Sequence, residues 1–169
     1  MPRQKPTTTR EALEVDWAFF GELCRALAVH VARGYSPDLV IGIAKAGVIP
    51  AAIVASMLQQ ELATMVISRL DDAGMPQLVA GPPPIVTGRH VLLVDETCDS
   101  GDTLKLALNT ILAARPADVR TAVSFKTGAY QPDFHAFETD KAIVLPWDRE
   151  VVVDGMLVVR PDLREWLSS

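Results

Sequence analysis

Apolar positions along the chain alternate between helical spacing and short continuous runs. Leu13, Trp17, Phe20, Cys24, Leu27 and Val31 recur every three to four residues, which is one face of a helix. Thr8 and Glu11 stand ahead of that stripe at capping-box separation, and Gly34 and Pro37 close it. Next comes Leu39-Val40-Ile41-Gly42-Ile43-Ala44, an apolar run too short for a helix and suited to a buried strand. After Lys45-Ala46-Gly47, Pro50 fits a first helical turn, and Ile49, Ile53 and Met57 keep helical spacing. Residues 64–70 predict a second strand and 90–95 a third. Residues 103–112 predict an amphipathic helix, with Leu104, Ala107, Leu108, Ile111 and Leu112 on one side. Residues 119–127 and 142–145 predict a fourth and a fifth strand. The tail from Val151 to Leu167 mixes a β-type run with a short turn or helix near Pro161.

Strands alternating with helices predict an α/β fold, an open and mostly parallel sheet flanked by helices. Ligands of such sheets sit beyond the carboxyl ends of the strands, so the loops after Ala44, Leu70, Asp95, Lys126 and Leu145 are expected to share one crevice. Residues 71–88 hold Gly74, Pro76, Gly81 and the consecutive Pro82 to Pro84, a long irregular stretch of the kind that serves as a lid. With 169 residues, 49% of them hydrophobic, the chain can build one core. The organisation expected is a loose arm over residues 1–10 and a single domain over 11–169.

Charge and cysteine usage narrow the chemistry. A net charge of -5 argues against a general nucleic-acid binder or a partner for an acidic membrane surface, and leaves anionic ligands to a few aimed groups. Cys24 and Cys98 are far apart and His30, His90 and His135 are isolated, so neither a disulfide framework nor a transition-metal site is expected. No segment has the apolar length to span a bilayer, and MPRQKPTTTR is followed by no signal-type apolar stretch. The expected location is cytoplasmic.

The richest stretch is Val91-Leu92-Leu93-Val94-Asp95-Glu96-Thr97-Cys98-Asp99-Ser100-Gly101-Asp102-Thr103-Leu104. Four apolar residues run straight into two adjacent carboxylates at the end of a buried strand. Carboxylates there need cations or hydroxyl donors close by. A solvated turn between strand and helix is the plainer explanation of the acid pair alone. The residues that follow add to it: Asp99, Ser100, Gly101, Asp102 and Thr103 open a helix, where backbone amides and hydroxyls cradle phosphate. Helix capping would account for Ser100 and Thr103, but not for the acid pair. A polyol or metal site a few residues from a phosphate site suits a ribose 5-phosphate.

This stretch resembles the signature of type I phosphoribosyltransferases: an apolar strand, two acids, then a Thr/Ser-Gly-x-Thr/Ser loop. The resemblance implies a Rossmann-like core with a flexible lid loop and a small C-terminal hood. It implies that Asp95 and Glu96 hold the ribose hydroxyls of PRPP (phosphoribosyl pyrophosphate) and Mg²⁺. The 5-phosphate would lie on Asp99, Ser100, Gly101, Asp102 and Thr103, with the Asp102 carboxylate turned to solvent. Purine-using relatives carry an aspartate at the Asp99 position to handle the proton of the purine's five-membered ring; the plainer role is a helix N-cap.

Other segments extend the likeness. Lys45, Ala46 and Gly47 resemble the family's pyrophosphate loop, and Arg69 stands where relatives often have tyrosine. Lys126 matches the lysine that contacts the exocyclic oxygen of 6-oxopurines. Residues 132–141 resemble hypoxanthine-guanine enzymes, and Pro146-Trp147-Asp148 the xanthine-guanine branch. Ile143 is thereby implied in purine binding and Asp148 as a second Mg²⁺ ligand, while Trp147 is either a substitute stacking ring for the purine or a plain core residue. Ala142 departs from the pattern, because relatives place a stacking aromatic ring there.

The resemblance therefore implies transfer of 5-phosphoribosyl from PRPP to xanthine, guanine or hypoxanthine, with release of pyrophosphate, in a homodimer or homotetramer engaged in purine salvage. The alternatives are a PRPP- or nucleotide-sensing module without base transfer, and transfer to a non-purine acceptor.

Overall fold

The structure is a computed structural model and describes residues 10–69 and 74–164. The arm over residues 1–9 with Thr8, Leu70 and the first lid residues 71–73, and Leu167 lie outside the described residues. In chain order the elements begin with β1 (Ala12–Glu14), α1 (Trp17–Gly34), β2 (Leu39–Ala44), α2 (Val48–Leu58), β3 (Glu61–Ser68) and β4 (Gln77–Ala80). They continue with β5 (His90–Cys98), α3 (Asp102–Ala113), β6 (Asp118–Lys126), β7 (Phe134–Glu138), β8 (Ala142–Val144), β9 (Glu150–Val153) and β10 (Met156–Val159). The chain divides into two compact units, residues 22–139 and residues 1–21 with 140–169. No described helix is long and apolar enough to cross a membrane.

The larger unit is a six-stranded sheet in the order β4-β3-β2-β5-β6-β7. Its pairings are parallel apart from the antiparallel edge strand β4. Residues alternate across the sheet as a pleated strand requires. Leu39, Ile41, Ile43, Val91 and Leu93 pack with Leu104, Ala107 and Ile111 of α3. Val40, Leu92, Val94 and Ala122 pack with Leu27 and Val31 of α1 and with Ala51 and Val54 of α2. Both faces are therefore covered, which explains why β2 and β5 read as unbroken apolar runs.

Several boundaries differ from the sequence expectations. The first helix starts at Trp17 because Asp16 caps it: the Phe19 N–H donates to Asp16 Oδ1 at 2.7 Å. Leu13 lies instead in β1, opposite Ile143 of β8. On α2 the buried face carries Pro50, Ala51, Val54 and Ala55, while Met57 is exposed. That helix is apolar almost all round, so spacing cannot choose its face, and the two alanines permit close approach to the sheet. Within the expected lid stretch, Gln77–Ala80 pairs with β3, and Pro84–Val86 forms a 3-10 turn with Val86 buried. The fifth strand expected over 142–145 does not join this sheet, because β8 pairs with β1. Its place is taken by β7, whose pattern is broken by His135 and ended by Glu138.

The smaller unit contains the parallel β1–β8 pair, the β9–β10 hairpin and a 3-10 turn at Pro161–Leu163. Trp147 packs within it, 5.6 Å from the Trp17 ring and 4.9 Å edge-on from Phe20.

Both cysteines are reduced and buried. Burial pushes each thiol up to about 11 from an ordinary 9.0, and around Cys98 the nearby Asp95 and Asp99 add to the effect. The unfolded chain thus releases these protons first as pH rises. Stability from the neutral thiols is full below pH 9.0 and lost as pH climbs to about 11. Denaturant midpoints are expected to fall across that window. At neutral pH a thiol reagent should label neither cysteine until the chain unfolds. Labelling of the native protein at the rate of a free thiol would contradict this.

Candidate active site

The chain leaves β2 for α2 and β3 on one side, and later returns to β2 from the other side through β5. The strand order therefore reverses between β2 and β5. Helices cannot cover the carboxyl ends at such a reversal, so a crevice opens there. The β2 end carries Lys45, Ala46 and Gly47; the β5 end carries Asp95 and Glu96.

β5 continues to Cys98, three residues beyond the expected end, because Thr97 and Cys98 stay in register with Phe125 and Lys126 of β6. The acid pair thus sits on a strand rather than in a loop. Asp95 is 8% exposed, and its Oδ1 accepts the Glu96 N–H at 2.9 Å. Gly47 closes on the same carboxylate. A Cβ at Gly47 would stand 2.7 Å from Asp95 Oδ1 and 2.6 Å from the Ile43 carbonyl, so only glycine lets the two strand ends approach this closely. Lys45 and Arg69 are exposed at the ends of β2 and β3.

The N-cap position of α3 is Gly101, in the left-handed region at φ 82. Asp99 therefore lies outside the cap position, which sets aside the alternative of a plain helix cap for it. Gly101 brings no side chain to the first-turn amides, which leaves the helix N-terminus suited to an anion. The Ser100 hydroxyl donates to Asp102 Oδ2 at 2.8 Å, and Lys105 Nζ lies 3.8 Å from Asp102 Oδ1. The Asp102 carboxylate is thus engaged within its own turn, at the partly buried start of the helix beside Thr103.

Lys126 closes β6. Its side chain is 3% exposed and its ammonium donates to Glu138 of β7, whose other oxygen is 3.6 Å from His135 Nε2. The Lys126 hydrogen bond and charge hold the Glu138 carboxyl below its ordinary range. Glu138, Lys105, Gly128 and Tyr130 were not singled out from sequence as site residues. Gly128 adjoins Lys126 in the chain, but no spacing pattern relates Tyr130 to the residues it touches.

Asp95, Glu96, residues 99–103, residues 45–47, Arg69 and Lys126 thus all belong to the larger unit, at the carboxyl ends of β2, β3, β5 and β6. Ile143, Trp147 and Asp148 belong to the smaller unit. There Ile143 lies in β8, and the Trp147 ring packs on Trp17 and Phe20. Asp148 Oδ1 is 3.8 Å from Arg160 Nη1, and the Asp148 N–H closes a turn on Leu145.

A model of the phosphoribosyl transferase domain matches residues 16–157. The fold is similar to that of a purine phosphoribosyltransferase from Pyrococcus horikoshii Ot3 (TM-score 0.76, 24% identity, 85% of this chain and 98% of that one). It is also similar to the hypoxanthine phosphoribosyltransferase of Trypanosoma cruzi in complex with the product IMP (TM-score 0.69, 18% identity, 96% and 100%). A hypothetical protein from Neisseria gonorrhoeae with bound ppGpp is a further neighbour (TM-score 0.66, 22% identity, 88% and 93%). The type I fold expected from the acid pair and its loop is borne out, and the chain belongs to the phosphoribosyl transferase domain family as a phosphoribosyltransferase of the glycosyltransferase class.

Proposed function

We propose that the protein transfers 5-phosphoribosyl from PRPP to a ring nitrogen of a 6-oxopurine, xanthine, guanine or hypoxanthine, and releases pyrophosphate. One observation carries this reading. The acid pair of β5, with Asp95 buried and Glu96 partly exposed, lies between a glycine loop packed on Asp95 and a helix N-terminus that no side chain of its cap residue closes. A ribose bearing phosphates at both ends needs that sequence of groups.

Asp95 and Glu96 receive the ribose hydroxyls. The amides and hydroxyls of Asp99, Ser100, Gly101, Asp102 and Thr103 hold the 5-phosphate, while Lys45, Ala46, Gly47 and Arg69 face the pyrophosphate. Asp99 takes the purine proton as the C1–nitrogen bond forms. C1 passes through an oxocarbenium-like state, as glycosyl centres do. In the larger unit Lys126 is assigned to the base; in the smaller unit the family likeness assigns Ile143 and Trp147 to it.

The donor set also fits magnesium. Among the described residues no group of three His, Cys, Asp or Glu is arranged to hold a metal by itself. Mg²⁺ is commonly bound by one or two carboxylates together with substrate phosphates, and Asp95 and Glu96 supply two adjacent hard oxygen donors. Asp148 would serve the pyrophosphate side. When bound, the ion neutralises and orients the departing pyrophosphate.

Two neighbours named for purine or hypoxanthine transfer support the purine assignment. Purine salvage in the cytoplasm, by a homodimer or homotetramer, is the setting we assign to it. A second reading, a nucleotide-sensing module without base transfer, is favoured by Ala142, which offers no stacking ring, and by the neighbour with bound ppGpp. The deciding assay supplies PRPP and Mg²⁺ with xanthine, guanine, hypoxanthine or adenine in turn. Nucleotide formation from a 6-oxopurine and not from adenine is the expected result. Binding of PRPP with no base consumed would move the assignment to the sensor.

A further inference from the structure

The first part of the loop between β6 and β7, residues 127–130, lies against the end of β5 and the loop that leads to α3. At its start, the Thr127 N–H donates to the Cys98 carbonyl at 2.8 Å, and the Thr127 hydroxyl reaches the same oxygen at 3.3 Å. One residue on, Gly128 presses against Asp99. A Cβ there would overlap the Asp99 carbonyl and carboxylate oxygens and stand 2.7 Å from the carbonyl carbon. Two residues further, the Tyr130 ring covers the face of Gly101, where a Cβ would meet the tyrosine Cβ at 2.8 Å and overlap its ring. Lys105 closes the arrangement from α3, with Nζ 5.3 Å from the Tyr130 ring centroid and 3.3 Å from the Ser100 carbonyl that it hydrogen-bonds.

We propose that residues 127–130 act as a clamp on the substrate loop, with Tyr130 a positioning residue for the 5-phosphate cradle and Gly128 a positioning residue for Asp99. This rests on the assignment of Asp99 and residues 99–103 given above. Gly101 holds a left-handed backbone that aims the first amides of α3 at one point, and Tyr130 covers that turn from outside. Gly128 sets the position of the Asp99 carboxylate, because any side chain at 128 must displace it. The clamp also continues from Lys126 on β6, so the group assigned to the base and the loop assigned to the phosphate are fixed to each other through residues 126–130.

The two contacts fall on different steps, so they separate kinetically. Tyr130→Ala is expected to raise KM for PRPP by about tenfold or more and to change kcat less than about threefold. Tyr130→Phe, which keeps the ring, should restore the parent values. Gly128→Ala is expected to lower kcat by about tenfold or more and to raise KM for PRPP less than Tyr130→Ala does, since it displaces Asp99, the proposed base, at the edge of the cradle. Thermal midpoints of all three variants are measured alongside. Unchanged kinetics in Tyr130→Ala and Gly128→Ala would overturn the proposal. So would equal losses of kcat and PRPP affinity that follow a fall in thermal midpoint. If the parent transfers no base, the function proposed above has failed, and calorimetric binding of PRPP with Mg²⁺ still decides the clamp. Affinity weakened about tenfold in Tyr130→Ala, less in Gly128→Ala and kept in Tyr130→Phe upholds it; equal affinity in all of them overturns it.

Discussion

Replacing Asp99 by asparagine is expected to lower kcat by about 10²- to 10⁴-fold, with KM for PRPP within about threefold. Asparagine keeps the shape and hydrogen-bonding reach of the side chain and removes its basicity. Asp99 lies two residues before the cap residue of α3, exposed and closely approached by Gly128. Were it a structural cap, its replacement by asparagine, an equally good N-cap, would be nearly silent. The measurement is a steady-state comparison with PRPP and the preferred base varied in turn. A kcat loss matched by an equal loss of PRPP affinity would count against the proton role.

The second large effect belongs to the acid pair. Asp95→Asn combined with Glu96→Gln is expected to weaken PRPP binding in the presence of Mg²⁺ by about 10²- to 10⁴-fold. Each hydrogen bond to a charged group contributes about 1.5–3 kcal/mol, so two carboxylates together account for about 3–6 kcal/mol. Stability should move the other way or not at all. Asp95 is a buried carboxylate, and asparagine retains the oxygen that accepts the Glu96 N–H. A thermal midpoint equal to or above the parent's, together with lost PRPP binding, separates a ligand-binding role from a structural one.

Much of this was legible in the chain because strong local signals coincide with the fold. The run over residues 39–44 gave β2 to the residue, and 90–95 gave all of β5 but its last three residues. The acid pair and loop announced the site because carboxylates directly after a buried strand need a reason to be there. What stayed hidden depended on contacts distant in sequence. Thr97 and Cys98 look like loop residues until pairing with β6 extends the strand. The run over 142–145 is strand-like, but nothing local says that it pairs with β1 rather than with the main sheet. The family likeness left Trp147 as either a substitute stacking ring or a core residue, and its place against Trp17 and Phe20 is tertiary. Tyr130 and Gly101 lie 29 positions apart and meet only because β5 and β6 run side by side.

Calorimetric titration of PRPP with Mg²⁺ into the parent protein and the Asp95→Asn, Glu96→Gln variant decides whether the end of β5 and the loop to α3 bind a phosphoribosyl group. The expected result is saturable binding to the parent, competed by ribose 5-phosphate and absent from the folded variant. Failure of the parent to bind PRPP, or equal binding by both proteins, would contradict the account.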